Sequence, residues 1–191
     1  MHAQGADLWV VDRTAGTASV YADADLSSTP SLEVSFGEGT NPHDVVDCGP
    51  WTWVSLYDNN AVIALDDAGN TVGAVSVESF ADADGGAEPD SMVCVNDTLW
   101  VALQRYAFGL YANDAIGQVV TIDTTAVSLL GNYPTQANPT IRANESDASS
   151  VLIQVGGWGA PDGSIGTLDV ANGEYLPLVD AMDLGGSIGL G

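Results

Sequence analysis

Short apolar runs, each ended by a turn, follow one another along most of the chain. Four such runs lie close together at residues 44–48, 51–56, 61–65 and 71–77. Glycine, proline, asparagine and aspartate fill the breaks between these runs, and those residue types favour turns. No stretch of about eleven residues or more shows helical periodicity, so the pattern predicts short antiparallel strands throughout.

The runs belong to a larger repeat. An apolar strand that carries a tryptophan is followed by a strand that stops at an aspartate, in the pairs Trp9 and Asp23, Trp53 and Asp66, and Trp100 and Asp123. A fourth copy keeps Asp169 but has the run 150–155 in place of the tryptophan strand. The second, third and fourth copies open with the dipeptides Asn41-Pro42, Glu88-Pro89 and Asn138-Pro139, which are spaced by 47 and 50 residues.

Four strands of about five residues, repeated at close to fifty, are typical of a β-propeller blade and less so of a sandwich. We therefore predict an all-β fold with a single domain over residues 1–191, divided into blade units at about 7–40, 41–87, 88–137 and 138–184. A unit of this size cannot bury a core alone, so neighbouring units must pack on each other. The tryptophans are expected to form the core between them.

The repeat also predicts an incomplete ring. The first unit has no recognisable first strand, and the fourth ends near Asp180. The chain thus holds three and a half to four blades of a probable seven-bladed ring, and we expect a piece of a longer chain with blades missing on both sides. Two rivals are a four-bladed ring, in which residues 185–190 supply the missing strand, and two half rings that close as a dimer.

The run Leu8-Trp9-Val10-Val11-Asp12-Arg13, the strand 17–23 and the segment from Ser31 to the Gly39-Thr40-Asn41-Pro42 junction resemble the YVTN-type, surface-layer-like propeller repeat. The resemblance continues through Trp53-Val54-Ser55-Leu56 and Trp100-Val101-Ala102-Leu103 and covers about residues 7 to 180. It implies a seven-bladed bacterial or archaeal propeller that is exported or attached to the cell surface. The motif indicates a fold and does not indicate an activity.

The net charge of the chain limits the classes of partner that it can bind. The chain carries 26 acidic residues and three basic ones, for a net charge of −23. Nucleic acid is excluded as a partner because phosphate binding needs clustered basic side chains. Insertion into a membrane is not expected, since no long apolar stretch is present. The partners that remain are a protein, a glycan or a small-molecule ligand, together with the remaining propeller blades from the same or another chain.

Cys48 and Cys94 leave two alternatives open. The copies align without a gap from Pro42 to Trp53 and from Pro89 to Trp100, which places Cys48 opposite Val95. Adjacent strand positions point to opposite faces, so the two thiols are not at equivalent places. This offset favours two buried thiols over one disulfide.

The family resemblance implies that the junctions into the blades and the loops after the second strands share one face, where ligands usually bind. The predicted ligand-binding residues are His43, Asp44, Tyr57, Arg105, Tyr106 and Trp158. His43 and Asp44 suggest an acid/base pair, but the alternative is that Asp44 bonds to turn amides while His43 lines a channel. Arg105 is either a ligand contact or an ion-pair anchor.

A second candidate is a calcium site. The acidic segment 82–90 carries Asp82, Asp84, Glu88 and Asp90, with glycines between them, and such a spacing can wrap oxygen ligands around Ca²⁺. The segment departs from the twelve-residue calcium loop, and the alternative is a solvated acidic turn. Calcium is therefore a possible cofactor, and no other cofactor is indicated.

These features favour a non-catalytic β-propeller module that binds a ligand through its loop-rich face. The expected location is extracellular, periplasmic or on the cell surface. The alternative is a propeller enzyme, such as a hydrolase, a lyase or a quinoprotein-like oxidoreductase, with its site at the central channel. The sequence assigns no catalytic residue, because it contains no recognisable nucleophile with an orienting partner.

Overall fold

The chain folds into β-sheets, as the short apolar runs predict. The computed structural model describes residues 2–4, 7–105, 116–156 and 163–180. These ranges contain sixteen β-strands in four antiparallel sheets of four strands each. Their helical content is three single turns of 3-10 helix, so no helix in the described ranges could span a membrane. The all-β prediction is confirmed.

Each sheet is a meander in which consecutive strands are neighbours, and we call the sheets blades 1 to 4. Blade 1 contains β1 (His2–Gln4), β2 (Asp7–Asp12), β3 (Thr17–Tyr21) and β4 (Leu32–Ser35). Blade 2 contains β5 (Pro42–Cys48), β6 (Trp51–Leu56), β7 (Ala61–Leu65) and β8 (Thr71–Ser76). Blade 3 contains β9 (Pro89–Val95), β10 (Thr98–Leu103), β11 (Gln118–Asp123) and β12 (Ser128–Pro134). Blade 4 contains β13 (Thr140–Ala143), β14 (Ser150–Val155), β15 (Ser164–Asp169) and β16 (Tyr175–Asp180).

The expectation that the first unit lacks an opening strand is wrong. β1 pairs antiparallel with β2, with His2 opposite Trp9 and Gln4 opposite Asp7. This strand is only three residues long and has no apolar alternation, so its sequence carries no strand signal of its own. Residues 185–190, proposed as a substitute strand, lie outside the described residues, and β1 takes the place beside β2.

Apolar side chains from facing sheets form the core between successive blades. Side chains alternate along each strand, so every blade presents one face to its predecessor and the other to its successor. The tryptophans of β2, β6 and β10 are all buried, in three separate clusters. Trp53 packs in the cluster between blades 2 and 3, and Trp100 packs in the one between blades 3 and 4. The predicted core role of the tryptophans is confirmed.

The outer faces of blades 1 and 4 are more polar than the faces between blades. Val46 and Val93 pair with the tryptophans of their blades, whereas Arg142 pairs with Leu152 at the matching position of blade 4. On blade 1 the hydroxyl of Ser19 donates to Glu33 at 3.3 Å, across the face turned away from blade 2. A neighbour that packs on either face meets polar groups.

A disulfide joins blades 2 and 3, contrary to the preference for two thiols. Cys48 on β5 and Cys94 on β9 are bonded, with their Cα atoms 5.3 Å apart. The one-residue offset between the copies explains this bond. Two adjacent blades face each other through opposite faces of equivalent strands, which allows residues offset by one position in the repeat, such as Cys48 and Cys94, to meet between them.

Candidate ligand-binding site

Two sets of equivalent positions meet on the junction face of the blades. The first set follows the junction proline and contains His43, Asp90 and Thr140; the second follows the second strand and contains Arg13, Tyr57 and Gln104. Both sets are brought together by the residue before each proline. Asn41, Glu88 and Asn138 all have a left-handed backbone, with φ of 49°, 57° and 53°.

The carbonyl groups of two of these junction residues hold the second strands. The Tyr57 amide donates to the Asn41 carbonyl at 3.1 Å, and the Gln104 amide donates to the Glu88 carbonyl at the same distance. The start of each first strand is thereby fixed to the end of the second strand. The side chains at these two places consequently lie side by side, blade after blade.

His43 is the centre of the polar contacts on this face. Its Nδ1 lies 2.7 Å from Asp90 Oδ1, and its Nε2 contacts Nη2 of Arg13. A carboxylate only accepts and a guanidinium only donates, so these partners select a neutral imidazole with its proton on Nδ1. The side chain of His43 is only 8% exposed. It connects blade 1, blade 2 and blade 3 through its two nitrogen atoms.

Tyr57 supports the imidazole from one side. The two rings stack with centroids 4.1 Å apart and planes inclined by 16°. The Tyr57 hydroxyl donates to Gln104 Oε1 at 3.0 Å. Burial raises the pKa of Tyr57 well above its usual value, and the carboxylates of Glu88, Asp90 and Asp58 add to the effect. Tyr57 therefore remains a neutral hydrogen-bond donor.

Arg13 has a second anchor on blade 2. Its Nε donates to Asn41 Oδ1 at 3.0 Å, and the Asn41 amide donates to Asp58 Oδ1 at 3.3 Å. The Arg13 side chain is otherwise exposed. The guanidinium thus lies across the boundary between blades 1 and 2.

Asp44 does not form the acid/base pair with His43 that the sequence suggested. Its carboxylate instead accepts from the amides of Val45 and Met92, at 3.0 and 2.8 Å. Ser91 in the next blade does the same for the Ile141 amide at 2.8 Å. Each side chain covers a backbone donor on the inner edge strand of its successor. The amides that Asp44 binds therefore lie on strands β5 and β9, and not in turns as the alternative had it.

The sequence did not predict that Asp90 is the partner of His43, because Asp90 was assigned to the calcium segment. The signal was present, because His43 and Asp90 both follow a junction proline at the same place in successive blades. Equivalent positions on inner strands of neighbouring blades lie close together, as the contact between β5 and β9 illustrates.

A cavity of about 540 Å³ runs along the inner strands β5, β9 and β13. The acidic and basic side chains that line it are those of His43, Asp44, Asp47, Asp90 and Arg142. Asp44 is committed to backbone amides, whereas one oxygen of Asp47 accepts from Thr52 Oγ1 at 2.6 Å. Three carboxylates against one guanidinium and a neutral imidazole give the cavity a negative potential.

The contacts of Arg105 in the described chain are with residues other than His43, Tyr57 and Arg13. It follows β10 and has a left-handed backbone with φ of 51°, and its Nη1 donates to the Ile116 carbonyl. Its charge also acts on Asp82, whose pKa is raised by burial and by Asp84 and lowered in part by Arg105. These contacts place Arg105 at the base of the loop after β10. Tyr106 and Trp158 lie outside the described residues.

Three of the four carboxylates of the predicted calcium segment have hydrogen-bond partners within the protein. Asp82 Oδ1 accepts from the Asp84 amide at 3.0 Å, and Asp84 Oδ1 accepts from the Gly86 amide at 2.9 Å. Asp90 is bonded to His43, and Glu88 is buried at the junction. Across the described residues, no three His, Cys, Asp or Glu side chains are grouped so that they could hold a metal ion. Calcium binding here stays a prediction that would require these side chains to move.

Comparison with solved structures identifies the architecture. Hydrazine synthase from Kuenenia stuttgartiensis has a TM-score of 0.70 and 16% identity, over 91% of this chain and 46% of that one. Virginiamycin B lyase from Staphylococcus aureus has a TM-score of 0.60 and 16% identity, over 90% and 51%. A putative 6-phosphogluconolactonase from Bacteroides fragilis has a TM-score of 0.60 and 14% identity, over 91% and 51%. No family model and no curated protein matches the chain.

These similarities establish that the four sheets are β-propeller blades. The chain spans about half the length of the solved chains that it matches. Identities this low support the fold alone.

Proposed function

We propose that the four blades are the ligand-binding part of a β-propeller and that the cavity along β5, β9 and β13 holds a small ligand with a cationic group. The observation that supports this most strongly is the cavity itself. Its volume of about 540 Å³ lies in the range of small-molecule sites. Its excess of carboxylates favours an amine or guanidine over an anion.

Asp47 and Asp90 are the proposed cation contacts. One oxygen of Asp47 is hydrogen-bonded to Thr52, one oxygen of Asp90 is hydrogen-bonded to His43, and both side chains line the cavity. Asp44 is not assigned this role because amides of the inner strands engage its carboxylate. A basic side chain at the end of a protein partner has the same chemistry as a free amine, so the site suits either source.

We further propose that the protein is a YVTN-type propeller that works outside the cytoplasm. The repeat motifs support the first part. The Cys48–Cys94 disulfide supports the second, because disulfides persist in oxidising compartments and are rare in reducing ones. A surface of strong negative charge also suits a saline exterior, where salt screens its self-repulsion.

A calorimetric titration with two tripeptides tests the proposed site. Both tripeptides are acetylated at the N-terminus and amidated at the C-terminus, so that the central side chain carries their only charge. Gly-Lys-Gly should then bind and Gly-Glu-Gly should not, because only the first presents a cation to the carboxylates. Asp47→Asn should weaken binding of Gly-Lys-Gly by about fivefold or more, the effect of one charge at contact range in water. Asp67→Asn, which removes an equal charge from the exposed turn between the two outer strands of blade 2, is the matched control.

Equal binding of the two tripeptides, or equal losses in the two variants, would show that the overall charge attracts cations and that the cavity does not. Repeating the titration at high salt distinguishes attraction by the overall charge from binding in the cavity. Attraction by the whole surface falls steeply with ionic strength, whereas contacts inside a cavity are screened less.

The bond between Asp90 and His43 supports a second candidate, an acid/base enzyme. A carboxylate on Nδ1 orients an imidazole so that Nε2 can act as a base. Arg13 occupies Nε2, and neither ring nitrogen contacts a hydroxyl or thiol of the described chain, so binding is the first proposal. Hydrolysis of glucono-δ-lactone can be measured with the protein and in buffer alone. A rate above that of buffer, which is lost in both His43→Gln and Asp90→Asn, would favour the enzyme. A rate equal to that of buffer would count against it.

A further inference from the structure

Among the described residues that line the cavity along β5, β9 and β13, Arg142 supplies the only guanidinium. Val46 and Val93 occupy the same position in blades 2 and 3, and both of them also line the cavity. A side chain at this position therefore borders the cavity in each of the three blades. Of these blades, only blade 4 has a charged side chain there.

The guanidinium of Arg142 has most of its donors unused within the described chain. Its Nη1 donates to the carbonyl of the neighbouring Ile141 at 2.9 Å. No carboxylate of the described residues forms an ion pair with it, although the chain carries 26 acidic residues. A guanidinium has five N–H donors in a planar fork that matches the two oxygens of a carboxylate. Arg142 is therefore suited to bind an anionic group of a ligand.

The carboxylates proposed as cation contacts lie on other blades than Arg142. Asp47 is on β5 of blade 2 and Asp90 is on β9 of blade 3, whereas Arg142 is on β13 of blade 4. β9 contacts both β5 and β13, so it lies between them. The cavity thus extends from carboxylates on blades 2 and 3 to a guanidinium on blade 4.

We propose that the ligand of this cavity is zwitterionic, with its cationic group at Asp47 and Asp90 and a carboxylate at Arg142. This inference deepens the proposed function and rests on it. A lysine with a free α-carboxylate has both groups, either as a free amino acid or as the C-terminal residue of a peptide. Packed sheets lie about 10 Å apart, a gap that the four-carbon stem of the lysine and the Arg142 side chain bridge together.

Charge complementarity at both ends makes the cavity selective. An anion without a cationic group is repelled by the carboxylates, and a cation without an anionic group leaves the guanidinium unused. A zwitterion meets an opposite charge at each end, and the fork of Arg142 binds its carboxylate through two parallel hydrogen bonds. The cavity therefore distinguishes a lysine that ends a chain from one within it.

Calorimetric titration with two ligands that differ at one end tests the proposal. Acetyl-Gly-Lys with a free C-terminal carboxylate should bind about fivefold or more tightly than the same peptide with a C-terminal amide, the effect of one charge pair at contact range in water. Free lysine, compared with acetyl-Gly-Lys, distinguishes an amino acid from a peptide end as the source of this chemistry.

Substitution of Arg142 assigns the gain to this side chain. Arg142→Gln should abolish the advantage of the carboxylate form and should not weaken binding of the amide form. Arg142→Lys keeps the charge but lacks the planar fork, so it should retain only part of the advantage. Both variants should fold, because Arg142 is exposed and its hydrogen bond within the described chain is to the adjacent backbone.

The sign of the difference between the two peptides decides the outcome. In a protein with a net charge of −23, a carboxylate that does not contact Arg142 is repelled. Weaker or equal binding of the carboxylate form, or an undiminished advantage in Arg142→Gln, would overturn the zwitterionic ligand while the proposed cation site still stands. Failure of the amide form to bind would instead contradict the proposed function.

Discussion

The tryptophans of blades 2 and 3 have the same place in the repeat but not the same hydrogen bond. Trp53 and Trp100 are 0% and 1% exposed, and the Trp53 indole donates to the Cys48 carbonyl at 3.1 Å. The Trp100 indole nitrogen has no partner in the described part of the chain and stacks on Tyr133. The two side chains thus share a place in the apolar core but differ in the hydrogen bonding of the indole N–H group.

Substitution of the two tryptophans should reveal this difference. Trp53→Phe and Trp100→Phe both lose buried volume, but only the first loses a hydrogen bond, so it should cost about 1 kcal/mol more in unfolding free energy. Urea denaturation of the two variants measures the difference. Equal losses, or a larger loss for Trp100→Phe, would contradict the bond assigned to Trp53.

Asp44 should be important for stability and much less so for binding. Asp44→Ala leaves the amides of Val45 and Met92 without their acceptor, at a cost of about 1–3 kcal/mol. Asp44→Asn retains one carbonyl acceptor and should cost less. Urea unfolding gives both values, and an Asp44→Ala variant as stable as the parent would refute the capping role.

At the scale of the strands, the sequence predicted those whose own side chains specify them. β6 and β7 match the expected runs 51–56 and 61–65, because tryptophan, valine and isoleucine alternate between turns there. β1 was missed because backbone pairing with β2, and not its side chains, defines it. The disulfide was misjudged because the cysteines were compared within one strand pattern and not across two facing sheets.

The disulfide should stabilise the pair of inner strands β5 and β9. It links residues 46 apart, and closing a loop of that length corresponds to about 4 kcal/mol in the chain-entropy model. The double variant Cys48→Ala, Cys94→Ala should therefore melt at a lower temperature than the parent. The parent should approach that midpoint in dithiothreitol, while the variant should not respond. A parent indifferent to reductant would contradict the bridge.

In the candidate site, too, some features follow from the local sequence and others arise only when the blades pack together. His43 and Tyr57 could be selected from the sequence because they lie on polar loops between strong strands. The partner of His43 could not be assigned, since Asp90 is 47 residues away and meets it only once two blades are packed. The distance along the chain between the two equals the spacing of the repeat, so the repeat itself contained the contact.

At the scale of the whole molecule, the four blades build one concave wall from their inner strands. β5 contacts β9, and β9 contacts β13, so the cavity spans three successive blades. At this wall Arg142 of blade 4 takes the place of Val46 in blade 2 and Val93 in blade 3. The wall is therefore where the function should be sought.

The most direct test maps where a cation binds. Amide chemical shifts of the labelled protein should be recorded during titration with Gly-Lys-Gly at constant pH and salt. The account predicts changes at inner-edge residues of β5, β9 and β13, including Asp47 and Asp90. Changes concentrated instead at exposed acidic turns, such as the one between β7 and β8, or no changes at all, would contradict it.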